Sequence, residues 1–413
     1  MSKSLGFIKQ KLYLTKKILV NKMDDYPKPS LPVNPVLSGS FRIPGLSRYL
    51  SILHADHLRF VTSGRAAIAL ALKHAKIKPN DKVLVPAYHC SSMVEPILWA
   101  KAQPIFFRIN ADASVNLSDV ESKLDENVKL IIVTHYFGFP QNITKIRQFC
   151  DGNNILLLED CAHAFFGEHK GKAIGSYGDY SIASIMKFFP VYDGGCLASN
   201  NPSVNNIGLK SAGVSFQVKS ILNIFEYSFS YGKLLILKIT FGWLFKIKDK
   251  AWKVIKSSNK GVIAKSIGPG ASEGGYQFED SWVNIKMSIP SRLIMLLTSG
   301  KNLTNKRRRN YQHLNKGLGD LNGVKPLHEN LPDNVIPYVY PLLFDEPEKI
   351  FPVLKKKGIP IIRFGEFLWE GVDSTVCSSS VDLSKRLFQF PCHHELSIKD
   401  LDWIVREVRL ALS

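Results

Sequence analysis

Between about Phe60 and Asn200, short apolar runs alternate with helical segments, and this alternation limits the fold more than any other feature of the chain. KVLVP, QPIFF, KLIIVTH and NILLLED have the length and composition of strands, whereas AAIALALKHA reads as a helix. Strand and helix in alternation imply a parallel sheet covered on both faces. Such sheets place ligands outside the carboxyl ends of their strands, so chemistry is expected in the residues that follow each apolar run.

A chain of 413 residues has room for one large core and a smaller one. The expected division is a basic N-terminal arm over 1–45, a large domain over 46–280 and a small α+β domain over 281–413. Hydrophobic residues at 45% and charged residues at 22% exclude a disordered chain. The formal charge of +19 calls for an anionic partner but does not choose among nucleic acid, acidic lipid and phosphorylated small molecules. The six cysteines lack CxxC or zinc spacing, and are expected to be reduced thiols of a cytoplasmic protein that holds no metal. The N-terminal MSKSLGFIKQKLYLTKKILVNK is basic, but lysines break its apolar residues, which does not suit a secretion signal. Leu234 to Ile247 is interrupted by Lys238 and Lys246, short of the roughly 20 apolar residues of a spanning helix.

From about Gln217 to Lys260 nine lysines face only Glu226 and Asp249 and are interleaved with aromatic residues such as Phe225, Tyr231, Trp243 and Trp252. This reads as a basic aromatic helical insertion, spanning about 203–270. Its lysine stems either cover apolar surface of the enzyme or dock the chain on the acidic inner face of a membrane. Past GPGASEGG, the segment KNLTNKRRRNYQHL reads as a helix whose Lys306 to Arg309 run is a solvated face, with phosphate contact as the alternative.

Three positions carry the chemical signal. Lys187 is a lone lysine in the apolar stretch GDYSIASIMKFFPVYDGGCL, where burial would lower its pKa and make it nucleophilic; a lysine snorkelling from a strand edge is the alternative. Asp160 ends the apolar strand of NILLLEDCAHAFFG, where it either reaches into a cleft or caps a helix. Ser63, Gly64 and Arg65 in RFVTSGRAAIALAL stand where a loop enters a helix, a place for a phosphate or an ordinary cap. A lysine for an imine, a carboxylate beneath a pyridine nitrogen and a donor-rich phosphate cup are what pyridoxal 5'-phosphate (PLP) requires.

With TSGRAAI, VPAYHCSS, THYFGFP, LLLEDCAHAFFG, GDYSIASIMKFFPVYDGGCL and LFQFPCHHELS in this order, the chain resembles the DegT/StrS-type family of PLP-dependent sugar aminotransferases, over about Phe60 to Asn200 and again from about Trp282. The resemblance implies PLP-dependent transferase fold type I, with a mainly parallel seven-stranded sheet in the large domain. It makes Lys187 the imine lysine and proton shuttle, and Asp160 the partner of the pyridine nitrogen. His163 is similar to the Gln or His that bonds the ring hydroxyl. Ser184 resembles the phosphate-binding serine, with Gly64 and Arg65 completing the cup. Asn284 resembles the residue that a partner subunit of a homodimer lends to the phosphate.

Two departures mark a divergent subgroup. Cys90 stands where many relatives place an aromatic ring on the cofactor, which leaves Tyr88, His89 or nothing to stack there. The spacing from Ser184 to Lys187 is shorter than in many relatives. The activity implied is transfer of an amino group from glutamate to a keto sugar carried by a nucleotide, in surface polysaccharide or amino-sugar biosynthesis. Carboxylate clamping by Arg65 or Arg363 is an option. Two other readings stay open: a PLP-dependent sugar dehydratase, although such relatives replace the imine lysine with histidine, and a non-catalytic PLP-binding protein of the membrane surface or of regulation.

Overall fold

The computed structural model describes residues 26–39, 47–240, 242 and 278–413. The arm up to residue 25, Trp243, Trp252, the lysines at 246, 248, 250 and 253, and the GPGASEGG joint lie outside the described residues.

The apolar runs form the strands expected of them. β1 (His57–Val61), β2 (Lys82–Pro86), β3 (Gln103–Phe107), β4 (Val128–Thr134), β5 (Leu156–Asp160), β8 (Tyr180–Ser184) and β9 (Gly195–Ser199) make one seven-stranded sheet in the order β1-β9-β8-β5-β4-β2-β3. A small hairpin of β6 (Glu168–His169) and β7 (Lys172–Ala173) stands apart from it. Strands β3, β2, β4, β5 and β8 pair in parallel, and β9 runs antiparallel to both of its neighbours. Leu130 to Val133 and Val83 to Val85 have no exposed surface. Burial on both faces explains why these strands are continuous apolar runs rather than alternating ones, each large side chain contributing about 1.5–3 kcal/mol.

Helices α1 (Gly64–His74), α2 (Ser91–Trp99) and α4 (Ile143–Asn153) alternate with these strands, and the short α3 (Leu117–Glu121) precedes β4. Register places Asp160 beside Thr134 of β4 and Ile182 of β8, so the carboxyl ends of the central strands are level and form one floor.

Within the segment read as an insertion, α5 (Val214–Ser230) packs on α6 (Ile289–Leu297). Their joint is a buried carboxylate: Asp193 accepts the Ser288 N–H at 2.8 Å and the Ser288 and Ser291 hydroxyls at 2.5 Å each, with the Ser220 hydroxyl at 3.3 Å. The next helical residues, 235–240, expose Leu235, Ile236 and Ile239.

A second sheet, all antiparallel, has the order β10 (Val324–Pro326), β11 (Val339–Phe344), β13 (Leu387–Pro391), β12 (Ile362–Arg363). It packs with α7 (Gly300–Leu318), α8 (Pro347–Lys356), α9 (Ser374–Arg386) and α10 (Ile398–Leu412). α10 starts at a capping box in which the Ser397 hydroxyl oxygen accepts the Asp400 N–H and the Asp400 carboxylate accepts the Ser397 N–H. No described helix is long and apolar enough to cross a membrane.

The solvated face expected at Lys306 to Arg309 is corrected by α7. Arg307 and Asn310 are fully buried, Arg308 donates to the carbonyls of Pro332 and Val335, and Lys306 donates to that of His394. Lys306, Arg307 and Arg308 reach backbone carbonyls of the segment around residues 332–338 and of the Cys392–His394 turn, whereas Arg309 stays exposed.

Candidate active site

Lys187 closes a single 3-10 turn, Ile185–Lys187, directly after β8. Its amine lies over the Tyr338 ring, 5.5 Å from the centroid. Asp160 ends β5 and accepts the Ala162 N–H at 2.9 Å. Burial holds the Asp160 carboxyl above the usual carboxylate range, offset in part by that N–H and by the positive charge of Lys187. Burial first, and the Lys187 charge second, hold His163 well below the ordinary imidazole value. The field of one lysine thus reaches both Asp160 and His163.

His163 is neutral, and its orientation is set by the backbone. Its Nδ1 faces the Phe137 N–H at 3.4 Å, which leaves Nε2 to carry the hydrogen. Phe137 has φ of 58°, the left-handed region that a bulky residue seldom occupies. Gly138 follows with φ of 103°, and a Cβ there would collide with the Ile336 carbonyl oxygen. This tight turn also lets the Phe137 carbonyl accept the Tyr338 N–H at 2.8 Å. The turn after β4 therefore ties His163 to Tyr338, the residue that leads into β11. Neither Phe137 nor Tyr338 was picked out from the sequence; a bulky residue before Gly in HYFGFP was the one local sign of the first.

The Ser63–Arg65 turn opens α1. Ser63 caps α1, accepting the Ala66 N–H at 3.2 Å. Gly64 approaches the end of β8, where a Cβ added to it would stand 3.7 Å from Ser184 Cβ. Gly195 makes this approach feasible, since a Cβ there would strike the Ser63 carbonyl carbon. Ser184 and the first turn of α1 therefore share one corner of the floor. The Arg65 guanidinium forms an ion pair with Glu95 of α2 at 3.2 Å.

Other expected residues are distributed differently. Cys90 caps α2 by position, half-buried, with its Sγ 2.8 Å from the Ser92 hydroxyl. His89 is fully buried: its Nδ1 donates to the Ala87 carbonyl, its Nε2 accepts the Trp369 N–H at 3.0 Å, and its ring stacks on Phe106. It is thereby committed to joining the two lobes and does not present its ring to the floor. Tyr88, also fully buried, packs against Tyr136 and Phe364. Asn284 sits beyond the edge strand β1, its carbonyl accepting the Lys210 N–H at 2.8 Å. Arg363 pairs with Glu348 at 3.2 Å rather than facing the site.

His135, Glu159 and Cys161 bring three potential metal donors together in the core. Glu159 already accepts the N–H groups of Gly175, Tyr177 and Gly178 and faces His135 Nε2 at 3.0 Å, while His135 Nδ1 accepts the Gln141 N–H. With these lone pairs used, the trio is a structural network that anchors the loop after β7.

The donor set suits PLP. A buried carboxylate, a neutral imidazole with one free N–H, a lysine amine and a glycine-lined helix N-terminus beside a serine are the groups the cofactor needs, gathered on one floor. The family model for the DegT/DnrJ/EryC1/StrS aminotransferase family matches residues 47–220, the stretch that carries all of these groups. That segment belongs to the DegT/DnrJ/EryC1/StrS aminotransferase family. Among curated members, GDP-perosamine synthase of Vibrio cholerae is 30% identical over 41% of this chain and 47% of its own length. A UDP-N-acetyl-3-dehydro-alpha-D-glucosamine 3-aminotransferase of Acidithiobacillus ferrooxidans is 30% identical over 31% and 34%. The matched region thus spans less than half the length of these relatives.

The fold extends further. A DegT DnrJ EryC1 StrS aminotransferase from Brucella abortus superposes with a TM-score of 0.59 at 16% identity, covering 98% of this chain and 96% of its own. A Helicobacter pylori aminotransferase involved in pseudoaminic acid biosynthesis gives 0.60 at 16% identity, covering 91% and 99%. The two-lobed architecture is that of the fold type I PLP-dependent transferases.

Proposed function

We propose that the chain is a PLP-dependent aminotransferase that takes the amino group of glutamate and gives it to a keto sugar linked to a nucleotide, in amino-sugar or surface polysaccharide biosynthesis. The observation that carries this reading is the convergence of Lys187, Asp160 and His163 at the carboxyl ends of β5 and β8. When bound there, PLP supplies the electron sink for moving the amino group. Lys187 holds the cofactor and carries the proton at Nζ, Asp160 faces the pyridine nitrogen, and His163 Nε2 donates to the ring hydroxyl. Ser184, the Ser63 and Gly64 N–H groups and Arg65 receive the phosphate, with Cys90 at the rim. The names of the curated relatives, which act on GDP- and UDP-linked sugars, support a nucleotide sugar as acceptor.

The working form in this reading is a cytoplasmic homodimer in which Asn284 faces the phosphate of the other subunit. Exposed Leu235, Ile236 and Ile239 beside Lys233 and Lys238 suit contact with the acidic inner face of a membrane. The retained Lys187 favours transfer over dehydration.

The test is a single-turnover reaction. PLP-loaded protein given glutamate without a sugar should release one 2-oxoglutarate per site, and Lys187→Ala should release none. Absence of 2-oxoglutarate from the intact protein would refute the proposed donor.

A further inference from the structure

Arg307 is among the largest fully buried side chains of the described residues. No carboxylate among the described residues pairs with it. Its guanidinium instead donates to three main-chain carbonyls: Lys187 at 2.9 Å, Tyr338 at 2.8 Å and Pro337 at 3.3 Å. It also lies 4.5 Å from the centroid of the Phe188 ring. A buried cation without a counter-ion is costly, and these carbonyls and this ring, together with the Cys392 side chain, offset that cost. The carbonyls belong to two segments about 150 residues apart in sequence, and those segments are the ones that bring Lys187 Nζ over Tyr338.

We infer that Arg307 is a positioning residue for Lys187: through the carbonyl of residue 187 it fixes the turn that presents the amine, and through the carbonyls of 337 and 338 it fixes the ring beneath that amine. This deepens the aminotransferase reading and rests on it for what the amine holds. The planar fork of an arginine suits such divergent acceptors; a lysine in its place would bring a single cationic centre and reach fewer of them.

Two readouts separate positioning from general stability. In the protein free of PLP, reductive methylation of Lys187 is followed by mass spectrometry relative to the exposed Lys349, for the intact chain, Arg307→Gln and Arg307→Lys. Loss of the clamp releases the turn, so methylation of Lys187 should rise at least threefold in Arg307→Gln and by less in Arg307→Lys. In the PLP-loaded proteins, the visible circular dichroism per bound cofactor, which reports its orientation, should fall by more than half in Arg307→Gln and be partly restored in Arg307→Lys. A wild-type methylation rate in folded Arg307→Gln overturns the inference. If that variant does not fold, a wild-type rate in Arg307→Lys does so. Failure of the intact chain to take up PLP would sink the aminotransferase reading, and the methylation rates would still decide the role of Arg307.

Discussion

His163 lies flat against Tyr338, with ring centroids 4.8 Å apart and planes inclined by 22°. One face of the imidazole is thereby set by a residue of the second lobe, while its Nδ1 is set by the Phe137 N–H of the first. The proposed donor to the cofactor is therefore oriented by both lobes. Replacing it by Gln keeps an N–H donor, and PLP affinity should change little. Replacing it by Leu removes the donor and should weaken PLP by about 2- to 10-fold, the worth of one neutral hydrogen bond. Fluorescence titration of the two variants with PLP checks this.

Asp160 bears a heavier load. Burial raises its pKa, so a bound pyridinium would supply the charge that stabilises its ionised form. Asp160→Asn should lose a charge-assisted hydrogen bond worth about 1.5–3 kcal/mol, which is about 10- to 100-fold in PLP affinity. Equilibrium dialysis against PLP measures the loss.

At Gly138 the prediction concerns stability. With φ of 103° and the Ile336 carbonyl in the way of a Cβ, Gly138→Ala should destabilise the protein by about 1–3 kcal/mol. Urea unfolding compared with the intact chain reads the difference.

Buried histidines should make the fold acid-sensitive. Burial lowers His89 and His328 to about 4 and His393 to about 3, whereas an unfolded chain titrates near the ordinary value of about 6.5. On acidification the unfolded state binds protons first, so stability present at neutral pH is lost as pH falls through about 6.5 towards 4. Each residue contributes a slope of up to about 1.4 kcal/mol per pH unit. His89→Gln should remove up to one proton from that dependence, measured by urea unfolding between about pH 7 and pH 5.

Much of this was legible in the sequence where the signal is local. The strands around KVLVP, QPIFF, KLIIVTH and NILLLED stand where the apolar runs placed them, Asp160 ends β5, and Lys187 closes the turn directly after β8. What escaped notice depends on contacts between distant segments. Tyr338 is one tyrosine in a strand-like stretch until the chain folds it beneath Lys187. Arg307 sits in a run of four cations that resembles a wet helix face, because nothing nearby in sequence announces the carbonyls it meets. His89 reads as available for stacking because the donor it accepts from, the Trp369 N–H, lies 280 residues further on.

The central claim, that one amine on this floor holds the cofactor, is tested most directly by borohydride reduction of the PLP-loaded protein followed by peptide mapping. The account predicts a single pyridoxyl label, on Lys187, that disappears in Lys187→Ala. A label on another lysine, or none at all at saturating PLP, would contradict it.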